Sequence, residues 1–286
     1  MTLQRADRER RGFTLIELLV VIAIIAVLVS LTLAGVMRWL GKREDETARK
    51  ELRTLHEAAA AFKAAFDIYP PSKIVLKPSR SSYGNTPLEI QSLQILDKMF
   101  PKLGAFSNIQ WVAGLTAAGE VLEGDQCLVF FLAGPNQQGF AKLSAGNGDP
   151  TAPKSAVPQR YGPYFEFQTG RLYTRPGRAF PSYMDAYSTS GSTNGAVPYV
   201  MFSTGLTARY DSSHAIGAPL SVAPYLSTNA PPRKYHNPDS VQIICAGRDR
   251  VFGPGGFWSP KNAEAIAAPG ADDMANFHTE FLGVSN

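Results

Sequence analysis

Residues 18–37, LLVVIAIIAVLVSLTLAGVM, form a twenty-residue run without a charge. Wound as a helix, such a run is about 30 Å long, the thickness of a bilayer core. Taken alone it fits a plain anchor or an uncleaved signal as well as anything more specialised. No small-residue cleavage site of the secretory kind follows it, and the chain leads straight into a polar helix. The leader before it, MTLQRADRERRG, carries Arg5, Arg8, Arg10 and Arg11. Arginines on this side favour a cytoplasmic amino terminus, with residues beyond about 40 outside. The predicted topology is single-pass in an inner membrane, with a periplasmic globular part.

Glu17 stands out because it lies inside the apolar stretch FTLIELLVV. A carboxylate deep in a bilayer costs roughly 2.5–3.5 kcal/mol or more, so it either reaches the headgroups or meets a cationic partner. The string Arg11-Gly12-Phe13-Thr14-Leu15-Ile16-Glu17-Leu18-Leu19-Val20 resembles the type IV prepilin signature shared by type IV pilins and the pseudopilins of type II secretion. That resemblance implies a prepilin peptidase that cuts between Gly12 and Phe13 and methylates the new Phe13 amine. It also implies that Glu17 pairs with the Phe13 amine of a neighbouring copy. Electrostatics fits this role, since two opposite charges that are each costly in lipid neutralise one another.

No proline occurs between Arg38 and Pro70, and the sequence is rich in alanine, so one helix is expected from Phe13 to about Phe66. Leu52, Leu55, Ala59, Phe62 and Phe66 follow at spacings of 3, 4, 3 and 4, a single apolar stripe for a globular domain. Asp45–Arg49 and Glu46–Lys50 read as supporting pairs along the helix. Trp39 reads either as an interfacial marker or as a packing residue. Thr86, Pro87 and Glu89 start a short helix that runs to about Phe100. The apolar run 124–135 fits a buried helix or a buried strand by periodicity, and Ala117-Ala118 and Glu120, which can extend it upstream, favour the helix. Residues 134–160 read as a surface loop. Strands are expected at 164–167 and 171–174 as a hairpin, at 197–202 with Pro198 near an edge, and at 240–246.

These elements give an α+β fold, a pilin-like lollipop with a long amino-terminal helix packed on a small antiparallel sheet with loop insertions. The expected divisions are a leader 1–12, a transmembrane and polymerisation helix 13–37, its periplasmic continuation 38–69, and a globular domain 70–286. The order Gly162-Pro163-Tyr164, Pro198-Tyr199, Ala246-Gly247-Arg248-Asp249 and Asp272-Asp273 resembles the major pseudopilin of type II secretion. Segments 71–160 and 204–238 are additional to that pattern. The resemblance implies a pseudopilin that assembles with other copies and minor pseudopilins on an inner-membrane secretion platform and drives protein export. The alternative is a minor type IV pilin acting in surface adhesion, motility or DNA uptake.

Asp249, the Val251 carbonyl, Asp272 and Asp273 form the candidate metal set, with glycines at 253, 255 and 256 in the intervening loop. Hard oxygen donors of this kind suit calcium, and the resemblance implies calcium at this loop. The other reading is a solvated loop with ordinary turn aspartates. Enzyme signatures are missing from the sequence. The four histidines are scattered, with no nucleophile elbow, P-loop or dinucleotide fingerprint. Without the leader's +2 and the charge of Glu17, the total of +4 leaves about +3 on the outer part of the chain, too small for a strong nucleic-acid footprint. Cys127 and Cys245 read as two buried thiols or, outside the cytoplasm, as one disulfide.

Overall fold

The computed structural model describes residues 15–104, 106–143, 148–188, 195–206, 210, 212–261 and 269–283, and for residues 31–42 the backbone alone. The chain divides into two compact units, Met1–Glu44 and Asp45–Asn286.

Helix α1, Leu15–Phe66, is continuous through Ala34-Gly35. In the first unit the side chains of residues 15–30 are all exposed, the large apolar ones from Leu15 at 82% to Val21 at 45%. Among the described residues no helix is long and apolar enough to cross a membrane. Residues 31–37, the second part of the uncharged run, have side chains outside that description.

In the second unit α1 behaves as its spacing predicts. Leu52, Leu55, Ala59, Phe62 and Phe66 are all buried. The helix ends at Phe66, ahead of Pro70, because Asp67 turns left-handed at φ 58°. Helix α2, Pro87–Met99, starts at Thr86 with the expected reciprocal cap between Thr86 and Glu89. Helix α3, Gly124–Ala133, is buried along its whole length, as a run without a polar face requires.

The expected upstream extension of α3 is absent. Gly119 sits at φ 75°, where a Cβ would fall 2.5 Å from the Leu76 carbonyl oxygen, so the chain turns there. Residues Glu120–Leu122 then form strand β2, antiparallel to β1 at Ile74–Leu76. The expected loop 134–160 also contains structure: buried β3, Phe140–Ala141, pairs with β4, Arg160–Tyr161. The hairpin expected at 164–174 does not form. Tyr164 donates its backbone N–H to the Leu132 carbonyl at 2.7 Å, and its ring meets Phe62 edge-on at 5.6 Å. Strand β5, Leu172–Tyr173, pairs instead with β6, Ser182–Tyr183.

The centre of the second unit is an antiparallel sheet of β7, Val200–Ser203, β10, Val241–Cys245, and β12, Met274–Ala275, with β10 in the middle. Strand β7 lies at the edge, just after Pro198, as read from the sequence. Both faces are covered. Met201, Val241, Ile243, Cys245 and Met274 join the core shared with α1 and α3. Val200, Phe202, Ile244 and Ala275 join a second core with Tyr225, Phe252 and Trp258. The second core belongs to a further layer built on segment 204–238, a stretch whose Ser, Pro and Ala content reads as no more than an insertion. There β8, Tyr225–Thr228, pairs antiparallel with β9, Lys234–Tyr235, and parallel with β11, Gly256–Phe257. Gln242 on β10 links the layers: its side-chain oxygen accepts from the Tyr225 N–H, and its amide donates to the Tyr225 and His236 carbonyls, all within 2.9 Å. The fold is α+β with several small sheets rather than one.

Candidate functional site

Gly12 and Phe13 lie outside the described residues. Glu17 occupies the first turn of α1, where a carboxylate is favoured by the amino-terminal end of the helix dipole. It is surrounded in the helix by exposed Leu15, Ile16, Leu18 and Leu19. This half of α1 offers an apolar surface and one acid.

At the other end of the chain the four expected metal-site residues occupy neighbouring turns. Gly247 is left-handed at φ 70°, and a Cβ there would sit 2.0 Å from the Asp272 carbonyl oxygen. That close approach sets the 246–250 turn against residue 272. Asp272 Oδ2 accepts from the backbone N–H of Arg248 at 2.6 Å and of Asp249 at 2.8 Å. Exposed Asp249 accepts from the Val251 N–H at 2.8 Å. Asp273 is fully buried, and its Oδ2 accepts from the Tyr225 hydroxyl and the Gly253 N–H, both at 2.9 Å. Its Oδ1 is buried without a hydrogen-bond partner. Burial, with the charges of Asp272 and Asp249 adding to it, pushes the Asp273 carboxyl up to about 7, against the pull of Gly253 and Tyr225.

The fit to a cation is therefore divided. The orphaned Asp273 oxygen is a donor that an ion would satisfy. Yet among the described residues no three His, Cys, Asp or Glu side chains are grouped to hold a metal ion. Each aspartate also serves a backbone amide, which is ordinary turn chemistry.

Three contacts that sequence reasoning missed fasten the carboxyl-terminal segment to α1, so that segment has staples other than a metal. Arg248 reaches Asp45 through Nη2 and, at 3.1 Å, through Nε. Arg49 donates to Glu280 at 2.7 Å. Asn276 Nδ2 lies 2.9 Å from His56 Nδ1. The helical pairs expected for Asp45–Arg49 and Glu46–Lys50 are thus replaced: Asp45 takes Arg248, and Arg49 lies between Glu280 and Glu46, the latter at 3.8 Å. Burial acts to raise the Asp45 pKa, but the hydrogen bonds from Arg248 and Tyr187 overcome it and hold the group below its usual value. The available signal was positional, since Asp45 precedes Ala48, Leu52 and Leu55 at stripe spacing.

A second buried link lies farther along α1. Glu51 receives Arg171 in a bidentate pair, with Nη2 to Oε2 at 2.9 Å, and the Tyr199 hydroxyl at 2.7 Å. Arg171 Nη2 also donates to the Met184 carbonyl at 2.7 Å. Cys127 and Cys245 are both free and buried, and burial pushes both thiols up, as inert core residues.

A helix whose exposed apolar start carries a single first-turn acid, followed by an α+β domain, is similar to the arrangement of a type IV prepilin-like protein. The family described as the prokaryotic N-terminal methylation motif matches residues 7–33. The type IV major pilin protein PilA of Myxococcus xanthus (strain DK1622) is 31% identical over 87 residues, 29% of this chain and 40% of that protein. The match therefore spans less than half of that relative. No solved structure matches the chain.

Proposed function

We propose that this chain is a pseudopilin of a type II secretion system, a non-enzymatic subunit that polymerises through its amino-terminal helix. The observation that carries the reading is the methylation motif at 7–33 joined to a helix whose side chains at 15–30 are all exposed and carry no charge apart from Glu17. Exposed apolar surface on that scale calls for lipid or other copies of the chain. Prepilin peptidase cuts after Gly12 and methylates Phe13. The processed helix is held in the inner membrane with the amino terminus cytoplasmic and the globular unit periplasmic. On assembly Glu17 neutralises the Phe13 amine of a neighbouring copy, and the filament works on an inner-membrane platform to drive export. Intact-mass analysis of the chain from its native cell tests this: residues 1–12 are lost and one methyl group is gained. Normal processing of Gly12→Leu would remove the prepilin assignment, because the position needs a very small residue.

A second reading, a type IV pilin acting in adhesion, motility or DNA uptake, is favoured by the Myxococcus xanthus relative, which is a pilin. Deletion of the gene separates the two, since loss of protein export marks the first and loss of surface filaments the second.

Calcium belongs to the proposal. Asp249, Asp272, Asp273 and the Val251 carbonyl would hold it, and the support is the unpartnered Asp273 Oδ1. A bound cation would supply the positive charge that keeps the buried carboxyl ionised.

A further inference from the structure

The face of α1 turned away from the core carries Glu46, Lys50, Arg53 and Glu57. Their spacing of 4, 3 and 4 confines them to an arc of about 60° at 3.6 residues per turn. All four are exposed, Glu46 at 78% of its side chain. Along the helix the signs read acid, base, base, acid. Within one helix the obvious partners would be Glu46 with Lys50 and Arg53 with Glu57, at i,i+4. Neither pair forms: Glu46 lies 3.8 Å from Arg49, and Lys50, Arg53 and Glu57 make no ion pair among the described residues. Farther on, the same face continues as exposed Ala60 and Ala64, where small side chains let a second helix come near.

We infer that this stripe is a register contact between parallel copies of the chain offset by four residues. The offset sets Glu46 of one copy beside Lys50 of the next, and Arg53 beside Glu57, so that one shift satisfies all four charges. Arg49, which the same shift brings toward Arg53, is turned aside to Glu280. The inference rests on the filament reading above, and it deepens that reading at an independent place. The proposed pairing of Glu17 with Phe13 of a neighbour is also a four-residue offset, in the same direction, since Lys50 and Glu17 both meet the neighbour's residue four positions earlier.

The test uses charge swaps in the full chain, made in its native cell, with cross-linked ladders as the readout of assembly. Lys50→Glu alone places acid against acid, and Glu46→Lys alone places base against base. Each lowers the ladder about fivefold. Making the two variants together restores it, because each supplies the charge the other lacks. Rescue by mixing separates contact between copies from repair within one helix, since each mixed chain still carries like charges at i,i+4. Disulfide trapping gives a second measurement: Arg53→Cys in one tagged copy joins Glu57→Cys in another. Swaps that leave a wild-type ladder intact overturn the register and spare the filament reading. A mixture as poor as either single variant overturns it too. A correctly folded wild type that forms no ladder overturns both.

Discussion

Replacing Glu51 by alanine should be the most damaging single change among the charged residues of α1. The Arg171 and Glu51 side chains are only 11% and 12% exposed, so the pair is largely withdrawn from water. Burial works to lower the Arg171 pKa, but the hydrogen bonds and charge of Glu51 more than reverse it. Without Glu51 the guanidinium keeps only the Met184 carbonyl and the Tyr183 ring, whose centroid lies 4.4 Å away. The Tyr199 hydroxyl loses its acceptor as well. Removing one partner of a buried ion pair costs about 3–5 kcal/mol. For a folded unit of this size that lowers the melting temperature by roughly 10 °C. Replacing both partners by apolar residues of similar volume, Glu51→Leu with Arg171→Met, should cost far less, about 1 kcal/mol, because no charge is stranded. The assay is thermal unfolding of the full chain in detergent, followed by the fluorescence of buried Trp111 and Trp258. If Glu51→Ala melts within about 2 °C of wild type, or the double variant is the less stable, the pair is not what fixes this part of α1.

Glu17→Ala should be cleaved and inserted normally, since a neutral residue is easier to place in lipid, yet it should fail to enter filaments; undiminished incorporation would contradict the pairing with Phe13. Calcium at a hundredfold excess over Kd should add about 2.7 kcal/mol to stability, read as a higher melting temperature than in chelator, and Asp249→Ala should abolish the difference. Asp249 is the informative variant, because Asp273 also anchors Tyr225 and Gly253 and its loss would lower the melting point with or without the ion. Equal melting of wild type in calcium and chelator would leave the three aspartates as turn residues. Burial pushes the Asp185 carboxyl up to about 6, against hydrogen bonds from Ser188 and Cys245. The folded state therefore holds a proton that the unfolded state has released, and stability should fall by up to about 2–3 kcal/mol as pH rises from 4 to 6. Asp185→Asn should flatten that slope, and an unchanged slope would assign it to other groups.

What the sequence made legible was local. The stripe from Leu52 to Phe66, the Thr86–Glu89 cap and the apolar run of β10 each carry their signal within fifteen residues or fewer. What it hid depends on distant partners. Strand β2 exists because Ile74–Leu76 offers it an edge, and three residues cannot announce that. The Tyr164–Phe167 stretch alternates like a strand, but Tyr164 and Phe167 pack into the core around α1. The extra layer at 204–238 is built from Ile216, Val222, Tyr225 and Leu226, spread thinly among residues that read as loop. At the aspartates, the turn positions were legible, whereas the burial of Asp273 and the capture of Arg248 by Asp45 follow only from the folded chain.

The segment 71–160 invites removal by anyone seeking a minimal version of this subunit. Its central helix argues against such surgery. Phe131 of α3 stands edge-on to Phe62, and Phe100 and Phe140 flank Phe66. Excision would strip α1 of its aromatic neighbours and leave a trimmed product with a newly exposed apolar flank on that helix. Shortened versions should therefore be designed by cutting at exposed positions near the end of the segment, around residues 153–156, where the backbone turns on itself through Ala156 to Pro153 and the contact with the rest of the segment is the Lys154 N–H to the Gln138 side chain. The bulk that makes this chain large is then best regarded as internal masonry, with its growth fixed from the inside outward.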